Sequence, residues 1–221
     1  TVDGFIGEDD FTTEPTCTSS YAAGTPVSAS PVTISCSGGD AGSDYAITYV
    51  PGALTIGQAT LTVTADDKSV TYGDAAPTYT FSVDGFYGED GWDTEPTCTS
   101  SYAAGTPVSA SPVTISCSGG DAGGNYTVDY NTGALTIDPA TLTVTADDKS
   151  VTYGDDAPTY TFSVDGFYGE DGWDTEPTCT SSYGAGTPVS ASPVTISCSG
   201  GDAGGNYTVD YNTGALTINQ R

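Results

Sequence analysis

The chain has 221 residues, with 29 acidic side chains against Lys68, Lys149 and Arg221, a formal net charge of −26 and no histidine. So negative a field repels phosphate, which excludes nucleic acid and anionic membrane surfaces as natural partners, and the absence of histidine removes the base of a serine or cysteine triad. No apolar run approaches the about 20 residues of a membrane-spanning helix, so no membrane insertion is expected. The charge is spread over the whole length, which reads as solubility and mutual repulsion ahead of cation binding. There are five leucines and no methionine, so the core must be built from Val, Ile, Tyr and Phe, which favour strands.

The chain repeats itself. Cys17, Cys98 and Cys179 stand 81 positions apart, and so do Cys36, Cys117 and Cys198. Such a period makes each copy a small module of its own. The expected boundaries are an incomplete first copy over 1–59, a second over 60–140 and a third over 141–221. From Thr60 to Ile137 and from Thr141 to Ile218 the later copies differ twice, Ala75 becoming Asp156 and Ala103 becoming Gly184. The first copy begins at the level of Ser82 and has no counterpart of residues 60–81. It also carries Ile6 for Tyr87, Phe11 for Trp92 and Asp44 for Asn125.

Along one full copy the hydrophobic pattern alternates with period 2, the signature of half-buried strands. Thr60-Leu61-Thr-Val63-Thr-Ala65 places Leu, Val and Ala on one face and Thr on the other. Turn residues follow at Asp66-Asp67-Lys68 and Tyr72-Gly73-Asp74. Thr78 to Val83 alternates again, and one short helical turn is expected over Tyr87–Trp92. The segments around Cys98 and Cys117 are expected to form an antiparallel pair joined through Gly105-Thr-Pro107. After Gly119-Gly-Asp121 come alternating runs from Tyr126 to Tyr130 and from Ala134 to Ile137, separated by Asn131-Thr-Gly133. The fold class is therefore mainly β: a tandem array of about 80-residue modules, β-sandwich or β-grasp-like, with at most a short helical turn in each. Only Asp138-Pro139-Ala140 separates the second copy from the third, so the array is expected to be closely coupled and rod-like.

Three equivalent cysteine pairs predict the disulfides Cys17–Cys36, Cys98–Cys117 and Cys179–Cys198. There is no Cys-x-x-Cys, and a zinc site without histidine would need carboxylates. Cys117 falls in phase with Val113 and Ile115, so the bridge should lie beside the core. Closing such a loop stabilises a small module by about 3 kcal/mol and implies an oxidising, extracellular location.

The most acidic loop holds Asp84, Glu89, Asp90, Asp93 and Glu95, repeated as Asp165, Glu170, Asp171, Asp174 and Glu176. Carboxylates and glycines at this density could wrap calcium, but the spacing is not that of an EF-hand. The favoured reading is a solvated loop with no cofactor. Trp92, Trp173, Tyr87 and Tyr168 could stack on a sugar, against the commoner role of capping a core under a loop. Asn125 and Asn206 begin glycosylation sequons. Lys68 and Lys149 could reach an aspartate to form an isopeptide, although Asp-Asp-Lys-Ser is ordinary turn chemistry. Small, near-identical modules argue against an enzyme, a carboxylate-pair glycosidase included.

Leu61-Thr-Val-Thr-Ala-Asp-Asp-Lys-Ser-Val-Thr-Tyr72-Gly73-Asp74-Ala-Ala-Pro77, Val83-Asp-Gly85-Phe86, Ser111-Pro112, Ser118-Gly-Gly120, Asn125-Tyr126 and Gly133-Ala-Leu135-Thr-Ile137 occur in this order. The ordered set resembles the MBG repeat of the Tyr-Gly-x type, found in tandem in large secreted bacterial surface proteins and adhesins. The resemblance covers essentially the whole chain, with the first copy partial. It implies a β-rich stalk or spacer with no catalytic residues, whose partners are neighbouring repeats or identical chains in a fibre. The alternatives are an adhesin module that binds carbohydrate or needs calcium, and a fibre subunit whose incomplete first copy is completed by a strand from another chain.

Overall fold

The computed structural model describes residues 1–221 and contains strands and short turns with no α-helix. Copy one contributes β1 (Thr16–Ser19), β2 (Val32–Ser37) and β3 (Gly52–Leu54). Copy two contributes β4 (Ala59–Ala65), β5 (Lys68–Thr71), β6 (Phe81–Asp84), β7 (Thr97–Ser100), β8 (Val113–Ser118), β9 (Tyr126–Asn131) and β10 (Gly133–Asp138). Copy three repeats them as β11 (Ala140–Ala146), β12 (Lys149–Thr152), β13 (Phe162–Asp165), β14 (Thr178–Ser181), β15 (Val194–Ser199), β16 (Tyr207–Asn212) and β17 (Gly214–Asn219). The chain forms two compact units, one of Thr1–Thr64, Ser82–Thr97 and Cys117–Asn131, the other of Ala65–Phe81, Cys98–Ser116 and Thr132–Arg221.

Copy three lies wholly in the second unit and is a β-sandwich. One sheet has the order β13-β11-β16 and the other β12-β17-β15-β14. Alternation decides which face of each strand is buried. Leu142, Val144 and Ala146 point inward from β11, and Ile196 and Cys198 from β15 meet Leu216 and Ile218 from β17 in one core. The outward threonines pair across strands, Thr141 Oγ1 lying 3.2 Å from Thr208 Oγ1, as threonines do on the open face of a sheet. Copy two shows the same two sheet orders, β6-β4-β9 and β5-β10-β8-β7.

Three features add to or depart from the sequence reading. First, β4 runs parallel to β9, and β11 to β16. Alternation reports which face is buried and carries no information about the partner strand or its direction. Second, Lys68–Thr71 is a strand, parallel to β10, so the turn is confined to Asp66-Asp67. Third, the helical turn is not at Tyr87–Trp92. Gly88 there has φ +60, outside the right-handed region. A 3-10 turn forms instead at Val108–Ala110. Pro107 precedes it at φ −69, and Ser111 ends it in extended conformation before Pro112, as the residue before a proline prefers.

Candidate functional site: the contacts between successive repeats

The most elaborate constellation of side chains lies where one copy meets the next. Within the second unit, Tyr72 leaves the end of β5 held by its N–H to the Asp138 carbonyl at 2.8 Å. Its ring packs edge-on against two rings of copy three, Tyr168 at 5.8 Å and Tyr207 at 5.3 Å. Its hydroxyl donates to Asp171 Oδ2 at 3.0 Å, and the Tyr207 hydroxyl donates to the same oxygen at 2.5 Å. The Tyr207 oxygen in turn accepts the Tyr168 N–H at 3.0 Å. Asn206 completes the contact, its Oδ1 accepting the Val108 N–H at 2.9 Å. That N–H opens the 3-10 turn of copy two, where a helical turn leaves donors unfilled.

Close packing explains the residue after Tyr72. Gly73 has φ +90, and a methyl group there would lie 2.8 Å from Tyr168 Cδ2. A methyl group on Gly105 would lie 3.0 Å from Cε1 of the same ring. Tyr168 is thus seated against two glycine backbones of the preceding repeat. The contribution of the next repeat can be read from equivalent tyrosines: Tyr72 is 8% exposed and Tyr153 is 42% exposed.

Within the first unit the meeting of copies one and two reuses part of this chemistry. Asn125 Oδ1 accepts the Val27 N–H at 2.9 Å, and Gln58 Nε2 donates to the carbonyls of Gly124 at 3.1 Å and Tyr126 at 3.2 Å. Tyr87 lies over Gly24, a methyl group there falling 3.0 Å from Cε1.

The tyrosines titrate accordingly. Burial, then the hydrogen bond to Asp171, pushes Tyr207 up to about 12. Burial also raises Tyr72, followed by the bond to Asp171, while a hydrogen bond from Asn206 works the other way. A hydroxyl donating to a carboxylate must keep its proton, so the neutral form is the one held.

The acidic-loop residues Asp84, Glu89, Asp90, Asp93, Glu95, Asp165, Glu170, Asp171, Asp174 and Glu176 are all exposed, and no three acidic residues gather into a group that could hold a metal ion. Two of them have a local role. Asp90 accepts the Tyr126 hydroxyl at 2.6 Å, as Asp171 accepts that of Tyr207 and Asp9 that of Tyr45. In copies two and three these bonds tie the loop to the strand that follows the glycine turn. Trp92 and Trp173 are half-buried, edge-on to Phe86 and Phe167 at 5.2 Å, and Trp173 packs against the core of copy three. Tyr87 and Tyr168 face the preceding repeat, and so do the sequon residues Asn125 and Asn206. Lys149 is 4.0 Å from Asp147. Cys17 stands opposite Cys36 and Cys179 opposite Cys198, each pair bridged, and Cys98 and Cys117 are also disulfide-bonded. Sequence reasoning missed Tyr72, Gly73 and Gly105 as contact residues and gave Asn206 another role. One signal was present: two of the substitutions peculiar to copy one, Ile6 and Asp44, fall at positions whose counterparts face the preceding repeat.

The family model for the MBG domain (YGX type) matches residues 61–136 and 142–217. The chain belongs to this MBG family. The Tyr-Gly of the motif is Tyr72-Gly73 and Tyr153-Gly154, so the motif that gives the MBG type its description is, in copy two, the seat for the next repeat. Among solved structures, the I9–I11 tandem of titin aligns with 87% of this chain and 75% of its own, at 10% identity and a TM-score of 0.29. No curated protein sequence matches the chain.

Proposed function

We propose that these MBG repeats are a stalk or spacer of an extracellular bacterial surface protein or adhesin, non-catalytic and stapled by one disulfide in each copy. The observation that carries this reading is the fastening of copy two to copy three through Tyr72, Gly73, Asp171, Tyr207 and Asn206. A linker would leave modules free to reorient, whereas the single residue Pro139 between β10 and β11 adds little slack. No carboxylate is buried, so the charge of −26 faces solvent, keeps neighbouring stalks apart and favours solubility. The disulfides make up for a core poor in aliphatics, which suits life outside a cell.

A glycan array probed with the chain, and thermal melts with and without calcium, test the reading. The expected results are no saturable glycan binding and a melting temperature that calcium moves by less than about 2 °C. A glycan signal abolished by Trp92→Ala together with Trp173→Ala would replace the spacer with a binding module.

A further inference from the structure

We propose that a complete repeat is a force-bearing clamp, built so that tension along the chain loads its backbone hydrogen bonds in shear and all together. The proposal goes beyond the stalk reading, because it rests on strand order and register and on nothing about location or partners. Tension enters copy three at its first strand, β11, and leaves through its last, β17. Neither is an edge strand. β11 lies between β13 and β16, and β17 between β12 and β15, so neither can be peeled away from the rim of its sheet.

The two ends of the repeat are paired directly with each other. Residues 140–152 form one run, β11 followed by β12, and residues 207–219 form another, β16 followed by β17. The runs lie parallel in one register, from Ala140 beside Tyr207 to Thr145 beside Asn212 in one sheet, and from Lys149 beside Leu216 to Thr152 beside Asn219 in the other. The offset stays at 67 positions through the change of sheet, where the Ala215 N–H donates to Asp148 Oδ1 at 2.7 Å. A methyl group on Gly214 would lie 2.5 Å from the Ala146 carbonyl oxygen, so the backbones touch at that crossing. Backbone bonds close both ends, the Ala140 N–H donating to the Asn206 carbonyl and the Tyr153 N–H to the Asn219 carbonyl, each at 2.9 Å. Copy two keeps the offset, with Ala59 beside Tyr126 and Lys68 beside Leu135.

Direction decides what this pairing resists. Tension draws the first run by its Ala140 end and the second by its Asn219 end, which are opposite ends of two parallel runs. The runs must slide past each other, and every bond along the register carries load before any breaks. In a hairpin pulled by its adjoining ends, by contrast, the bonds break one at a time. The core opposes sliding as well. A slip of one residue turns the inward Leu142, Val144, Leu216 and Ile218 out of the core, so no neighbouring register offers a resting place.

The test pulls copy three within the 221-residue chain in optical tweezers, between a handle after Arg221 and an azide-bearing side chain placed at Pro139 or at Tyr153, both exposed positions. From Pro139 the runs are loaded in shear. From Tyr153 the two handles stand at the same end of both runs, and the edge strand β12 is peeled from β17. The first rupture from Pro139 should need at least about threefold more force than that from Tyr153, because backbone bonds break together in one direction and singly in the other. It should release copy three in one step. Reduction of Cys179–Cys198, a sequence separation of 19, should lengthen that step by about 6.5 nm. Equal first-rupture forces in the two directions, or gradual extension at low force from Pro139, would overturn the clamp. Either result would leave the spacer reading standing, because glycan and calcium responses decide that reading.

Discussion

Single hydroxyl groups separate tyrosines that hold the fold from tyrosines that only fill it. The hydroxyls of Tyr102 and Tyr183 donate to the carbonyls of Asp74 at 2.7 Å and Asp155 at 2.8 Å. Those of Tyr79 and Tyr160 are buried without a hydrogen-bond partner. Removing a partnered hydroxyl costs about 1 kcal/mol, whereas removing an unpartnered one costs nothing and relieves desolvation. Urea unfolding should therefore show Tyr183→Phe destabilised by about 1 kcal/mol and Tyr160→Phe neutral or stabilised; the reverse order would mean that Tyr160 has a partner. Tyr207 makes a prediction in pH. Its folded value is raised from 10.0 to about 12. The unfolded chain therefore loses this proton first, and the stabilisation, complete below pH 10, is lost as pH rises towards 12. Tyr207→Phe should flatten that alkaline decline in melts recorded across the window. An unchanged slope would show that burial of this hydroxyl is not coupled to folding.

The elements were legible where alternation was clean. The strands around Leu61, Ile115, Val128 and Leu135 are present with the predicted faces inward, and the cysteines lie in phase with them. Two things escaped. The strand Lys68–Thr71 is short and begins inside a cluster of turn residues, so composition masked it. The contacts between repeats escaped because they unite residues 99 positions apart, such as Tyr72 and Asp171, on loops that local patterning reads as solvated. The two Tyr-Gly pairs offer an internal control for this level. Gly73 and Gly154 share a positive φ, +90 and +92, but only Gly73 has a tyrosine of the next repeat against it, whereas a methyl group on Gly154 would lie 3.4 Å from Arg221 Nη1. Alanine at either position carries the same backbone cost. Gly73→Ala should lose about 1 kcal/mol or more beyond Gly154→Ala, from displacement of Tyr168. Equal losses in denaturant unfolding would place the glycine requirement in the turn alone.

At the scale of the molecule, copy two carries on its surface the seat for copy three. A disulfide lies in each copy. The Tyr-Gly seat and the Asn206 bond secure the succession, and the acidic surface keeps it in solution. The coupling of copies two and three is the central claim, and backbone ¹⁵N relaxation measures it most directly. The account predicts one common rotational correlation time for residues 60–140 and 141–221, and two separate ones when Tyr72→Ala and Asn206→Ala are combined. Independent tumbling in the unaltered chain, or a common correlation time that survives both substitutions, would contradict it.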